Sequence, residues 1–219
     1  DGRYFIQAAA QLEGTTVELM KMGEPGVPEM NAYIEEVLKE GETLGFDGRV
    51  VSVGEGEGYA AIARKKNAKV NYQVDLIDEI WEDRPVLSEE PAFDLDVKYA
   101  GENVASKLAR IREEMKEAGT NVHVVSTIDD ICWTLNIRGN DIDFFPLVLS
   151  YGIIKMDSFE LYIDERKLDD KLKAKLAKDG VNLHPYNDIY EDVKKFGSDV
   201  VAMIDPGKLN YALFNNIPE

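Results

Sequence analysis

The sequence predicts an α/β protein of two domains, with mixed β-sheets flanked by helices and the first domain incomplete. Three observations lead there. Strand-like and helix-like apolar periods alternate along the 219 residues. A charged stretch without periodicity, Asp83-Arg-Pro-Val-Leu-Ser-Glu-Glu-Pro91, parts two such series. The composition, 44% hydrophobic and 31% charged, is that of a globular chain with a core to bury.

The first series spans residues 1–82. Tyr4–Ala9 is apolar and suits a buried strand, and Thr16–Met22 alternates as a strand does. Pro25 and Pro28 then interrupt the chain. Glu29–Lys39 predicts a helix, because Met30, Tyr33, Ile34, Val37 and Leu38 fall three and four residues apart on one face, and Gly41 suits its end. A short strand is expected within Leu44–Val53, a short helix over Tyr59–Lys66, a strand over Lys69–Leu76 and a helical turn at Ile77–Trp81. These strands are too few for a complete sheet.

Residues 83–98 serve as the linker, and the second series fills 99–219. Glu102–Ala118 predicts a helix with Val104, Leu108, Ile111 and Met115 on one face and Gly119 as its stop. Val122, Val124 and Val125 make Asn121–Ser126 a strand. Thr127-Ile-Asp-Asp130 resembles a capping box opening a helix through Leu135. Pro146–Ile154 and Ser158–Asp164 read as two strands joined by a hairpin at Lys155-Met-Asp157. Lys167–Lys178 predicts a helix with Leu168, Leu172 and Leu176 in register, Asp169 and Asp170 in its first turn and Gly180 beyond it. Val181–His184 as strand, Asp188–Phe196 as helix and Asp199–Ile204 as strand complete a mixed sheet with helices packed on it.

The formal charge is −17, and both halves share it: residues 1–98 carry 10 basic and 21 acidic side chains, residues 99–219 carry 15 and 21. No basic face remains for phosphates, which argues against nucleic acid and against an anionic membrane surface as partners. One cysteine, Cys132, leaves no internal disulfide and fits a reducing compartment. No apolar run reaches membrane-spanning length.

Little in the chain gathers chemistry. His123 and His184 each stand alone in an apolar strand, without a second ligand at metal-binding spacing, and read as structural. Cys132, between Ile131 and Trp133, reads as a buried filler. Gly54-Glu-Gly-Glu-Gly58 precedes a helix as phosphate loops do, but its two glutamates would repel an anion, so it reads as a flexible turn. Two segments place an Arg beside Gly and Asp at the edge of an apolar element: Asp1-Gly-Arg-Tyr-Phe5, and Trp133–Asp141 running towards Pro146–Tyr151. Arg3 and Arg138 are expected either to pair bidentately with a nearby carboxylate or to face a substrate or neighbouring domain.

These segments resemble the Xaa-Pro aminopeptidases of the creatinase/prolidase superfamily. The family's Asp-Gly-Arg-Tyr-Phe is similar to residues 1–5, its Leu-Met-Lys-Met-Gly to Leu19–Gly23, and its Ile-Trp-x-Asp-Arg-Pro to Ile80–Pro85. Its Trp-Leu-x-Asn-x-Arg-Gly-x-Asp is similar to Trp133–Asp141, with Thr134 as a variation without insertion. Pro146–Tyr151 and His184-Pro-Tyr186 match in the same order. The resemblance implies the back part of a first non-catalytic domain in 1–82 and a whole second one in 99–219, cut from a longer cytoplasmic protein. Removal of an N-terminal residue before proline is then the work of an absent third domain with two metal ions, manganese by the resemblance. This chain carries no cofactor on that reading. Its partners are its own catalytic domain, a second copy in a homodimer, and peptide substrates. Arg3, with Tyr4 beside it, is the expected substrate-orienting residue, while Arg138 and Asp141 are expected to hold the second domain against the catalytic one. The alternative is a creatinase-like module without catalysis that grips peptides or basic partners.

Overall fold

The computed structural model describes residues 2–219; Asp1, the first residue of the Asp-Gly-Arg segment, lies outside the described residues. The chain forms two compact units. The smaller comprises residues up to Gly45 together with Glu57–Asn71, and the larger comprises Phe46–Gly56 and Tyr72–Glu219.

The elements of the first series are helices α1 (Gly2–Leu12) and α2 (Met30–Val37), strand β1 (Thr43–Gly45), helix α3 (Val53–Lys65) and strand β2 (Lys69–Asn71). The expected strand at Tyr4–Ala9 is instead α1, and Thr16–Met22 is irregular. A short apolar run cannot be told from a helix by period alone. Here Gln7-Ala-Ala-Ala-Gln11 has strong helix propensity, and no α1 residue is buried. The predicted helix over 29–39 appears as α2. In the smaller unit β1 and β2 pair in parallel, Leu44 opposite Val70. A small core of Leu38, Ile62 and Ala63, with Ile34, Leu44 and Val70 against it, holds them.

The glycine-rich turn expected at 54–58 is also overturned: it forms the first turns of α3. The reason is tertiary. A Cβ on Gly56 would lie 2.2 Å from the Tyr211 ring, so only glycine admits this packing. The Gly54 N–H also donates to the Pro206 carbonyl.

The larger unit adds β3 (Phe93–Asp94), α4 (Val97–Ala100), α5 (Val104–Glu117), β4 (Val122–Val125), α6 (Ile128–Leu135), β5 (Ile137–Arg138), β6 (Tyr151–Lys155), β7 (Phe159–Tyr162), α7 (Asp170–Lys178), β8 (Val181–His184), α8 (Ile189–Asp192), β9 (Ala202–Met203) and α9 (Tyr211–Phe214). Residues 85–92, inside the proline-rich segment, form no regular element. Five strands form a mixed sheet in the order β8-β7-β6-β4-β9, in which β6 runs antiparallel to β4 and β7, while β8 and β9 pair in parallel. The short β3 and β5 form a separate antiparallel ladder.

Alternation along β7 sets the layers. Phe159 and Leu161 enter a core with Leu108 and Met115 of α5, Ile131 of α6, and Leu172 and Leu176 of α7. Tyr162 turns to the other face, where Val124, Ile153, Ile189, Val193 and Leu213 form a second core. A sheet buried on both faces by helices is the mixed α/β layering that the residue pattern implied. Helix ends follow their caps: Asn103 and Asp169 accept from Ser106 N and Leu172 N. The capping box expected at Thr127 does not form, because its hydroxyl donates to the Asp130 carboxylate rather than capping a backbone N–H.

Candidate functional site

Three of the segments singled out in the sequence meet at one end of the five-stranded sheet. After β5 the chain passes Gly139, where a Cβ would come within 2.7 Å of Val148, and this close approach brings Asp141 under the strand-like run before β6. Asp141 Oδ2 accepts the Leu149 N–H at 2.6 Å and the Lys167 ammonium at 2.5 Å. Both side chains are out of solvent, 0% and 3% exposed. Asp141 Oδ1 has no hydrogen-bond partner among the described residues. A buried ion pair fixes geometry more than it adds stability, since desolvation offsets much of the attraction.

Arg138 does not pair with a carboxylate as one reading expected. Its Nη1 donates to the Cys132 and Ile137 carbonyls at 2.7 and 2.8 Å, which ties β5 to the end of α6. Arg138 and Asp141 are thus near each other in sequence but bonded to different groups, and Arg138 sits in the β3–β5 ladder rather than in the five-stranded sheet. Cys132 is buried, its sulfur accepting the Val148 N–H at 3.4 Å, and burial pushes its thiol above the ordinary range.

Further along this end, the Tyr151 ring meets that of Tyr186 at 5.0 Å, and its hydroxyl lies 3.2 Å from the Tyr190 hydroxyl. The Pro146–Tyr151 and His184–Tyr186 segments therefore come together through aromatic contact. His184 is not alone: Nε2 lies 2.7 Å from Glu160 Oε2, and the ring stacks on Tyr162 at 4.8 Å. Burial would raise the Glu160 carboxyl. Hydrogen bonds from Ser158, His184 and Asn182 and the Lys155 charge outweigh it and hold the group at about 2. His123 Nδ1 lies 3.1 Å from the Met203 carbonyl oxygen across the β4–β9 pair.

Arg3 and Tyr4 belong to the smaller unit, on α1, where Tyr4 is 66% exposed. Residue reading missed Lys167, Glu160 and the buried Lys107. Lys167 ends a short 3-10 turn ahead of α7, and nothing in its neighbours marks it as the partner of a carboxylate 26 positions earlier. Ser52-Val-Gly-Glu55 did carry a signal, the Ser-x-x-Glu capping box. Ser52 N donates to Glu55 Oε2 at 3.1 Å, and Glu55 N to Ser52 Oγ at 3.3 Å.

Among the described residues no group of three or more His, Cys, Asp or Glu side chains converges as metal ligands would. These residues do not fit a di-metal centre. Among them, too, no helix is long and apolar enough to cross a membrane.

Mixed sheet, flanking helices and a polar end built on buried pairs define a domain of the α/β class. Residues 83–219 match the model of the Creatinase/Prolidase N-terminal domain, and the chain belongs to that family. It is 36% identical to "Aminopeptidase P2" of Arabidopsis thaliana over 98% of its own length and 31% of that protein's. It is 34% identical to "Xaa-Pro aminopeptidase app-1" of Caenorhabditis elegans, covering 100% of this chain and 37% of that one. The solved X-prolyl aminopeptidase of C. elegans, described as a cytosolic enzyme with a di-nuclear active site, superposes with a TM-score of 0.92 at 33% identity. The match spans 100% of this chain and 37% of that one. The chain thus spans about a third of the length of the curated relatives it matches.

Proposed function

We propose that these residues are the non-catalytic front portion of a metal-dependent Xaa-Pro aminopeptidase, contributing to substrate access and to dimer assembly. The observation that carries this is the superposition over the whole chain on little more than a third of an enzyme of that name. On this reading, 1–82 is the back part of the first domain and 99–219 the second, and the start of the family match at residue 83 supports the division. Cleavage before proline, and the two divalent metal ions it uses, belong to a part of the protein outside these 219 residues. The cytosolic relative supports a cytoplasmic location.

Arg3 is the residue proposed to orient an incoming peptide, with Tyr4 beside it. Both are exposed on α1, where a cation and an aromatic ring can meet a ligand. Arg138 and Asp141 are proposed to hold the second domain against the catalytic one. Their rigid backbone bonding supports a presenting role for the 138–146 turn, whose Phe144 and Phe145 are exposed. The test is Arg3→Ala in the full-length enzyme: KM for longer peptides should rise while kcat stays near the parent value. Unchanged kinetics on every peptide length would remove the assignment.

A further inference from the structure

In a chain of formal charge −17, the Arg49 guanidinium forms no ion pair among the described residues. Among the described residues no carboxylate lies within 4.0 Å of its guanidinium. The groups that contact its guanidinium are neutral, while Asp47 Oδ1 accepts its backbone N–H at 2.8 Å. Nη2 donates to Asn187 Oδ1 at 2.5 Å, and the guanidinium lies 4.6 Å over the centre of the Tyr190 ring. Burial raises the Tyr151 and Tyr186 phenols above their ordinary range, so they stay protonated and cannot offset the charge. Stacking and hydrogen bonding hold the cation in one orientation, which reduces the entropy lost when it binds a ligand.

Arg49 forms one wall of a cleft of about 310 Å³ that Lys208, Ser52, Ser126, Asn210 and Tyr151 also line. Lys208 sits on the turn after Asp205, exposed, and likewise has no carboxylate within 4.0 Å among the described residues. Glu55 is the cleft's one acidic lining residue. Its Oε2 accepts from the Ser52 N–H and hydroxyl at 3.1 and 2.8 Å, and its single negative charge is outnumbered by the two cations of the cleft. Two cations with spare donors, one of them a planar fork, face a small polar hollow. At about 310 Å³ it lies at the small end of the range for ligand clefts.

We propose that this cleft binds a compact oxyanion, a phosphate or a carboxylate, between Arg49 and Lys208. The site lies within the larger unit and does not depend on the aminopeptidase reading. The test is an NMR titration of the full 219-residue chain with sodium phosphate and, separately, sodium acetate, with ionic strength held constant by chloride. Saturable amide shifts confined to residues 50–52 and 207–210 are expected, with a Kd of about 1 mM for at least one anion. Arg49→Gln should weaken binding about tenfold or more, and Lys208→Gln several-fold. Saturation by phosphate alone assigns a phosphate-bearing ligand and saturation by acetate alone a carboxylate, and either supports the site. Shifts that never saturate with both anions, or equal affinity in the parent and Lys208→Gln, overturn it. Lys208 is exposed on a turn, so that variant carries the test even if Arg49→Gln fails to fold.

Discussion

Asp141 and Lys167 show how one residue can matter out of proportion to its charge. Replacing Asp141 by Asn leaves a buried ammonium without its counter-charge, and the expected loss is about 3 to 5 kcal/mol in urea denaturation. The double replacement Asp141→Leu, Lys167→Met should recover most of that loss, because two buried charges disappear together. Lys107 makes the converse case. It is 1% exposed, and its ammonium donates to the Trp133 carbonyl and to Asn136 Oδ1 at 2.6 and 2.7 Å. Burial lowers its pKa, the Glu102 charge opposes that, and Arg138, Arg110 and Lys175 add to the lowering. The unfolded chain therefore holds this proton to higher pH than the folded one. Stability contributed through Lys107 should rise as pH climbs from the folded value towards about 10.4. Denaturation midpoints measured across that range should show this slope in the parent and lose it in Lys107→Met. Glu160 runs the other way. Its carboxyl is held at about 2 in the fold, so its contribution is present above the unfolded value near 4.5 and is lost as pH falls towards about 2. Glu160→Gln should flatten the acid limb of the stability profile over that window.

At the scale of elements, the helix α3 is where the backbone departs furthest from its local propensity. Three glycines in its first turns disfavour a helix by roughly 1 kcal/mol each relative to alanine. Two things outweigh them: the Ser52–Glu55 capping box, and the close seat of Gly56 against Tyr211. Ser52→Ala should therefore cost about 1 kcal/mol. Gly56→Ala should raise helix propensity yet still destabilise, by about 1 to 3 kcal/mol, because the new methyl must displace the Tyr211 ring. A more stable Gly56→Ala protein in thermal denaturation would contradict the packing described. Helix α1 makes the opposite case: its local propensity decided, and among the described residues no strand pairs with it. The three elements whose type the sequence reading missed, at 4–9, 16–22 and 54–58, fall in the first 82 residues. From residue 102 onward the strong helices, the hairpin at 155–157 and strand β8 were legible to within a few residues, because their period and their caps agree. The end of the predicted helix over 188–196 breaks into α8 and a short 3-10 turn, a boundary the period could not resolve.

For the whole molecule, charge is the term that acts everywhere. An excess of 17 negative charges repels itself in the compact state, and added salt screens that repulsion. Raising ionic strength from about 0.05 M to about 0.5 M should raise the melting temperature, the gain from screening exceeding the loss from exposed ion pairs such as Arg110–Glu102. A melting temperature that falls with chloride would mean that the surface pairs dominate instead. The two compact units also differ in what holds them. The larger has a core on each face of its sheet, whereas the smaller rests on a three-residue centre with a few partly buried neighbours. Hydrogen exchange should therefore find the slowest amides in β4, β6 and β7 and fast exchange throughout α1.

The sequence by itself determined the α/β class, the strong helices and hairpin of 102–184, and the family to which the chain belongs. Each of these is written in local signals: apolar period, caps, turn residues and contiguous motifs. Only the tertiary structure decided that Asp141 pairs with Lys167, that Arg138 binds carbonyls rather than a carboxylate, that Glu160 joins His184, and that glycines 54–58 form a helix. Those outcomes depend on which side chains meet across elements far apart in the chain. Burial strengthens each such contact and penalises each unmet one, and neither effect leaves a mark on neighbouring residues in sequence.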